Sequence, residues 1–377
     1  MASRHKVLFI LPNVEGGGTH KVVLTLVRRL DRAKFDIHLV VIIRKGAFER
    51  LIPTDIGVTF LDVDRVPKGI PGIWASIRRL TPDIVFSATG NVNLVTLLLK
   101  PAAPRRTRFI IRESTTLTES LKDPIYPKHP SIMRFSYKRL YPLADKIVCQ
   151  SNYMMEDLNR NFGVGLHKMV KIHNPLDIRS IVDRTANGSN PFAPAGAGPH
   201  IVAVGRLTYP KNFAGLIEAF AGFRRDAGCG RLWIVGEGPM EAELQQQCRE
   251  LHLEELVAFT GFQHDLYPWL SHADLFVSSS VYEGLPNVLL EALACGCPVL
   301  AADCPGGTRE IMELTGNNDK LIPLESFHIP PDLVGKPNNP DTIMLLERHF
   351  GLETIIKQYE RLLLDVIQES KTPSIQH

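Results

Sequence analysis

The feature that most constrains the fold is a strand-then-helix rhythm that runs twice along the chain and is broken once. Lys6 to Leu11 is an apolar run of strand length, Gly18 to Leu30 carries helical spacing, and Asp36 to Ile43 is strand-like again. Short apolar strands follow at Asp83 to Phe86, Arg108 to Arg112 and Asp145 to Val148, with helical stretches between them. Residues 187–199 then gather Asn, Gly, Ser, Pro and Ala in an order that holds neither a helix nor a central strand. The rhythm restarts with His200 to Val204, Leu232 to Val235, Leu256 to Thr260, Asp274 to Val277 and Pro298 to Ala302. Such alternation specifies parallel sheets with helices on both faces. The expected class is therefore α/β, with two doubly wound domains facing each other across a cleft and ligands beyond the carboxyl ends of the strands. The expected boundaries are 1–190 for the first domain, 187–199 for a linker and 200–350 for the second domain.

Composition supports two cores, since 44% of the 377 residues are hydrophobic. Six cysteines show no disulfide framework, and neither an apolar N-terminal signal nor an eighteen-residue apolar span is found, so a reducing cytoplasm is expected. Cys295-Gly296-Cys297 with Cys304 lacks C-x-x-C spacing; buried thiols beside a strand are the alternative to a metal, and no metal is expected. The net charge of +3 conceals an asymmetry. Residues 1–190 carry 30 Lys and Arg against 16 Asp and Glu, and the remainder carries 13 against 24. Within the basic half stand Arg105-Arg106-Thr107-Arg108 and the stretch Lys128 to Arg139, where Ile132, Met133, Phe135 and Tyr137 lie among cations. That mixture suits an anionic bilayer, or equally a solvated helix face. Nothing resembling a nucleic-acid reading module accompanies the charge.

Glu283 and Glu291 frame Glu283-Gly284-Leu285-Pro286-Asn287-Val288-Leu289-Leu290-Glu291. Pro286 to Cys295 reads as a helix, opened by proline and stopped by Gly296, in which Glu291 is the only charge. A carboxylate inside so apolar a helix needs a polar partner, either a ligand diol or a structural Arg or Lys. Pro12 to Gly18 follows the first strand and opens a long helix, so its amides can meet an anion or form a plain tight turn. It lacks G-x-G-x-x-G spacing, which disfavours a nicotinamide cofactor. Gly205-Arg206-Leu207 follows another strand, with Lys211 just before the next helix. Two cations there suit a diphosphate, or are simply solvated. Gly236-Glu237-Gly238-Pro239 turns the chain.

Taken together, Gly205-Arg206-Leu207 with Lys211, Val235 to Pro239, Gly261-Phe262, Glu283 to Glu291 and Pro305-Gly306-Gly307 with Glu310 resemble the nucleotide-binding domain of glycosyltransferase family 4. In the first half Gly16-Gly17, Ala144 to Val148 with Ser151, and His173-Asn174-Pro175 with Asp177 are similar too. The resemblance implies the GT-B fold of two Rossmann-like domains, a nucleotide-sugar co-substrate and no other cofactor, and retaining transfer without a metal. It implies that residues 351–369 form a helix crossing back to the first domain. It implies donor binding by Gly16, Gly17, Arg206, Lys211, Gly284, Leu285, Asn287 and Glu291, with Arg206 and Lys211 on the diphosphate and Glu291 on the ribose hydroxyls. Glu283 is implied to lie against the donor sugar.

Two departures bear on function. Many relatives carry histidine where this chain reads Arg112-Glu113-Ser114-Thr115, which resembles a branch acting on surface polysaccharides and glycolipids. Glu113 is accordingly expected on the acceptor side, as a catalytic carboxylate, or else in an ion pair with Arg112 that shapes the loop. Residues 314–341 depart from the usual ending and give no mapped contacts. The expected activity is transfer from a UDP-sugar to a glycan or polyprenyl-linked glycan, in the cytoplasm and peripherally at the inner membrane face. The alternative is a non-catalytic nucleotide-sugar or glycan-binding protein of the same fold.

Overall fold

The computed structural model describes residues 4–125, 127–186, 188–193 and 198–371, the side chains of residues 47, 370 and 371 excluded. The chain divides into two compact units, Met1–Leu121 with His129–Pro175 and Glu353–His377, and Lys122–Lys128 with Leu176–Leu352.

The first unit is built on a seven-stranded sheet. Its strands are β1 His5–Leu11, β2 Phe35–Val41, β3 Gly57–Phe60, β4 Ile84–Ser87, β5 Arg108–Arg112, β6 Lys146–Cys149 and β7 Met169–Lys171. They run in the order β3-β2-β1-β4-β5-β6-β7, every pair parallel. Central strands covered on both faces must be apolar throughout, and Val7, Leu8, Phe9 and Ile10 of β1 are each fully or almost fully buried. The edge strands β3 and β7 are short and mostly only half-buried or exposed, so no apolar run announces them in the sequence.

The second unit holds β8 His200–Val204, β9 Arg231–Val235, β10 Val257–Phe259, β11 Leu275–Ser278, β12 Val299–Asp303 and β13 Leu321–Pro323. These six strands are ordered β10-β9-β8-β11-β12-β13, again all parallel. In both sheets the chain order reverses beside the first strand laid down, between β1 and β4 and between β8 and β11.

The boundary expected at 187–199 is corrected. The chain leaves the first unit at Pro175 and Leu176. Leu176 forms a parallel bridge with Gly351, its amide donating to the Phe350 carbonyl at 2.8 Å and its carbonyl accepting from Leu352 at 3.0 Å. Ile178 and Ile181, on the helix Ile178–Thr185, then join the core of the second unit with Leu289 and Phe350. The turn formers farther on are anchored rather than free. Phe192 stacks on His200 with ring centroids 4.5 Å apart and touches Trp233 and Trp269 at 5.3 and 5.5 Å. Residues 187 and 194–197 lie outside the described residues. Turn-forming composition marks where regular structure stops, not where contacts change partners.

The terminal helix, Leu352–Lys371, belongs to the first unit from Glu353 onward. Its Tyr359 ring meets Phe86 at 6.1 Å, and Glu360 accepts from the Asp31 amide at 3.0 Å and the Lys34 ammonium at 2.7 Å.

The stretch 314–341 is held by one buried cation. Lys320 is 2% exposed, and its ammonium donates to the carbonyls of Lys336 and Pro337 at 3.3 and 2.7 Å and to Asn338 Oδ1 at 2.8 Å. Asn338 in turn donates to the Cys297 carbonyl at 2.6 Å, and the Gly335 amide to Asp274 at 2.9 Å. The proline-rich segment is thereby tied to the start of β11 and the turn before β12. Hydrogen bonds to a charged donor are worth about 1.5 to 3 kcal/mol, and three acceptors lose their partner if it is removed. Lys320→Met should lower the urea midpoint of the second unit by at least about 1.5 kcal/mol equivalent, followed through Trp233 and Trp269 fluorescence. An unchanged midpoint would show that the ammonium does not hold the segment.

Candidate active site

Ligands of open parallel sheets gather at the carboxyl ends of the strands, where chain order reverses. In the second unit that place lies between the loops after β8 and β11, and these are the loops that carry Arg206, Lys211 and Glu283. They are joined. The Lys211 ammonium pairs with Glu283 Oε1, and the same oxygen accepts from the Ser280 hydroxyl at 2.7 Å. Ser279 Oγ donates to the Lys211 carbonyl at 2.8 Å, and the Val281 amide to Pro210 at 2.8 Å. Glu283 is 13% exposed and Lys211 27%, so the pair is partly buried but still open to water. Arg206, on the same loop as Lys211, is exposed.

The neighbouring loops can approach so closely because glycine faces backbone. A Cβ on Gly306, after β12, would lie 2.0 Å from the Glu283 carbonyl, and the Glu283 amide donates to Pro305 at 3.0 Å. After β9, Gly236 and Gly238 pack onto Gly205 and Leu207, and the Leu207 amide donates to the Glu237 carbonyl at 3.0 Å. Gly236-Glu237-Gly238-Pro239 therefore shapes the cation loop rather than only turning the chain.

The helix read at Pro286 to Cys295 spans Asn287–Ala294 and has Pro286 at its cap position. Neither a capping side chain nor an acid occupies its first turn, so the dipole end beyond Gly284 and Leu285 keeps its attraction for anions. Glu291 is 5% exposed on this helix. Burial, with the Glu291 carboxylate next in effect, pushes the Cys295 thiol up to about 12. Cys304 is likewise raised to about 12, first by burial, so both sulfurs are thiols rather than thiolates near neutral pH.

In the first unit the corresponding reversal lies between β1 and β4, and the loop after β1 carries Gly16 and Gly17. Gly17 has φ +98°, a region closed to most side chains, and caps the helix Gly18–Arg29, whose first turn holds no acid. His20 Nδ1 lies 2.5 Å from the Gly16 carbonyl. Burial lowers the His20 pKa, so the neutral ring donates from Nδ1 and closes the turn. Four-residue spacing from Gly16 is the sequence signal that could have singled it out.

Glu113 follows β5 and is 1% exposed. Its Oε1 accepts from the amides of Ser114 and Thr115 at 2.8 and 3.3 Å, and its Oε2 accepts from the Tyr141 hydroxyl. Asn93 donates to the same hydroxyl at 3.4 Å and to the Arg112 carbonyl at 3.0 Å, while accepting from Ser87 Oγ at 2.7 Å. Both carboxylate oxygens are thus engaged inside the unit, and burial raises the Glu113 pKa despite these donors. Arg112 does not pair with it; the guanidinium donates to Asn174 Oδ1 at 2.5 Å. Other residues shared with the family pattern also hold structure. Asp145 accepts from the Phe109 amide at 2.6 Å, Ser151 caps the helix Asn152–Phe162, and Asp177 caps Ile178–Thr185.

Comparison with known proteins agrees with this layout. The family model described as Glycosyltransferase Family 4 matches residues 16–180, and the one described as Glycosyl transferases group 1 matches residues 198–328. A Campylobacter jejuni relative, N-acetylgalactosamine-N,N'-diacetylbacillosaminyl-diphospho-undecaprenol 4-alpha-N-acetylgalactosaminyltransferase, is 30% identical over 81% of this chain and 83% of its own. The amylovoran biosynthesis glycosyltransferase AmsD of Erwinia amylovora is 26% identical over 83% of this chain and 85% of its own. HepE of Anabaena, solved with UDP and glucose, superposes with a TM-score of 0.74 at 20% identity over 96% of this chain and all of its own. With both halves matched in order and a relative 30% identical over most of both chains, this chain belongs to glycosyltransferase family 4 and has the two-domain GT-B fold.

Proposed function

We propose that this glycosyltransferase takes a UDP-sugar, needs no divalent metal, retains the anomeric configuration and delivers the sugar to a glycan or polyprenyl-diphosphate-linked glycan at the cytoplasmic face of a membrane. The observation that carries the donor reading is the Lys211 and Glu283 pair at the sheet's reversal point, with Arg206 exposed on the same loop. Without a donor, Lys211 is neutralised by Glu283. A diphosphate offers the ammonium a second anion, and charge grows on that diphosphate as the glycosidic bond breaks. Fixed cations and the uncapped helix at Asn287 stabilise this charge where a metal would otherwise act. Glu283 then lies against the donor sugar and Glu291 binds the ribose hydroxyls. Glu113 acts on the acceptor side through the loop it orders, residues 113–116.

The UDP assignment draws on HepE, whose structures contain UDP, and the acceptor class on the Campylobacter relative, whose name specifies a diphospho-undecaprenol glycan. Membrane contact draws on the helix Pro130–Leu140, where Ile132 and Phe135 are 64% and 61% exposed among Arg134, Lys138 and Arg139. Among the described residues no helix is long and apolar enough to cross a membrane.

Lys211→Ala and Arg206→Ala should each weaken UDP binding by about 10- to 100-fold, the loss of one charge-assisted contact, when measured by calorimetry in EDTA. Undiminished affinity in both variants sinks the diphosphate assignment, and wild-type binding that requires added magnesium or manganese sinks the metal-free one.

Glu113 gives a pH signature. Its pKa is raised in the folded chain above the ordinary value of 4.5, so the folded state keeps this proton longer than the unfolded state. The associated stability is whole below the ordinary value and is lost as pH rises through the raised one. Glutamine has no such proton to lose. The stability of wild type relative to Glu113→Gln should therefore shrink as pH rises above the ordinary carboxyl range in urea unfolding, and a difference independent of pH contradicts the buried carboxyl.

For the membrane reading, sedimentation should show binding to vesicles containing anionic lipid, release near about 1 M salt where screening acts within about 3 Å, and weaker binding by Phe135→Glu. Equal binding to neutral vesicles, or to none, refutes it.

A further inference from the structure

The segment Lys122–Lys128 is grouped with the second unit, although the chain on either side of it, to Leu121 and from His129, is grouped with the first. From this segment Asp123 Oδ2 accepts a hydrogen bond from the Tyr282 hydroxyl at 3.2 Å. Tyr282 is 8% exposed and immediately precedes Glu283.

The main chain on both sides of Tyr282 is already fixed, since the amides of Val281 and Glu283 donate to Pro210 and Pro305 at 2.8 and 3.0 Å. Gly306 leaves the Glu283 carbonyl no room on the β12 side. What the backbone does not set is the tyrosine side chain, and its polar end is held by Asp123. Burial, and then the Asp123 carboxylate, raise the Tyr282 pKa, so the phenol stays protonated and donates. No donor-site motif of the sequence includes residue 123, and no spacing links it to 282.

We propose that Asp123 is a positioning residue for sugar transfer: by accepting the Tyr282 hydroxyl it seats that ring beside Glu283 and so fixes how the Glu283 carboxylate meets the donor sugar. This rests on the reading that Glu283 lies against that sugar. A hydrogen bond that only orients a neighbouring group acts on the geometry of the reacting complex, where a displacement of about 1 Å costs up to about 100-fold, and leaves nucleotide binding alone.

The test uses the whole chain with Tyr282→Phe, Asp123→Ala, their combination and Asp123→Asn, whose oxygen can keep the Ile125 amide while its Nδ2 donates to the Tyr282 hydroxyl and so preserves a hydrogen bond there. UDP affinity is measured by calorimetry, and turnover as UDP released from UDP-glucose, UDP-galactose, UDP-N-acetylglucosamine and UDP-N-acetylgalactosamine, using whichever the wild type cleaves fastest. Tyr282→Phe and Asp123→Ala should each lower kcat about tenfold with the UDP Kd within about twofold of wild type, and the combination should be no worse than either alone. Asp123→Asn should keep most of the wild-type kcat. Full kcat in either disrupting single variant, multiplying losses in the combination, a UDP Kd that weakens with kcat, or loss of activity in Asp123→Asn as severe as in the alanine variant each overturns the proposal. A wild type that neither binds UDP nor cleaves any of the four donors overturns the donor reading itself, and this inference with it.

Discussion

Everything about this molecule's chemistry follows from the strands of each sheet being parallel. A parallel pair needs a crossover, usually through a helix, so each strand starts at the same edge and ends at the opposite one. The loops leaving the carboxyl edge are thus neighbours in space although dozens of residues separate them in sequence. Pro210–Lys211 and Ser279–Glu283 meet for this reason, and the glycines after β9 and β12 allow their loops to close over the same place. The same constraint sets Gly16 and Gly17 at the reversal point of the other sheet.

The ion pair between Lys211 and Glu283 has a second consequence. Two charges held in a partly buried site cost desolvation whether or not they meet, and pairing offsets that cost until a ligand arrives. The diphosphate proposed to bind here would bring more negative charge than one carboxylate, so the ammonium could exchange one anion for the other without ever being left unpaired. Ser280 donates to the same Glu283 oxygen as Lys211, so on the proposed donor reading it still supports the carboxylate once the ammonium engages a diphosphate. On that reading an isolated arginine and lysine would attract the same ligand, but would leave Glu283 without this support.

The sequence made the central strands and the principal loops at their carboxyl ends legible, because fully covered parallel strands must be apolar and such loops must be tight. It hid β3, β7 and β13, which are short edge strands with little to bury. It misplaced the crossing between units, since composition at 187–199 reports turns, whereas the contacts of Leu176 and Phe192 decide which core a segment joins. Glu283 and Lys211 stood out as charges beside glycine and proline, but their pairing did not, for it joins residues 72 positions apart. Ser280 was within reach of notice, three residues before Glu283, whereas Tyr282 and Asp123 are ordinary residues whose meaning lies wholly in their contact.

Glu113 shows why a charged residue after a strand is ambiguous until its oxygens are counted. An exposed carboxylate at a strand end can take a proton from a substrate; one whose oxygens already accept from two amides and a tyrosine spends its lone pairs on the loop. Arg112, Asn174 and Asp145 tell the same story on the same unit, and Asp177 just beyond it, each tying a strand end or helix start in place. The polar residues that the first half shares with the family pattern therefore act mainly as a frame, while in the second half the shared charges sit at the reversal point where a donor would lie. A pattern match in the first half consequently identifies the architecture more securely than the acceptor.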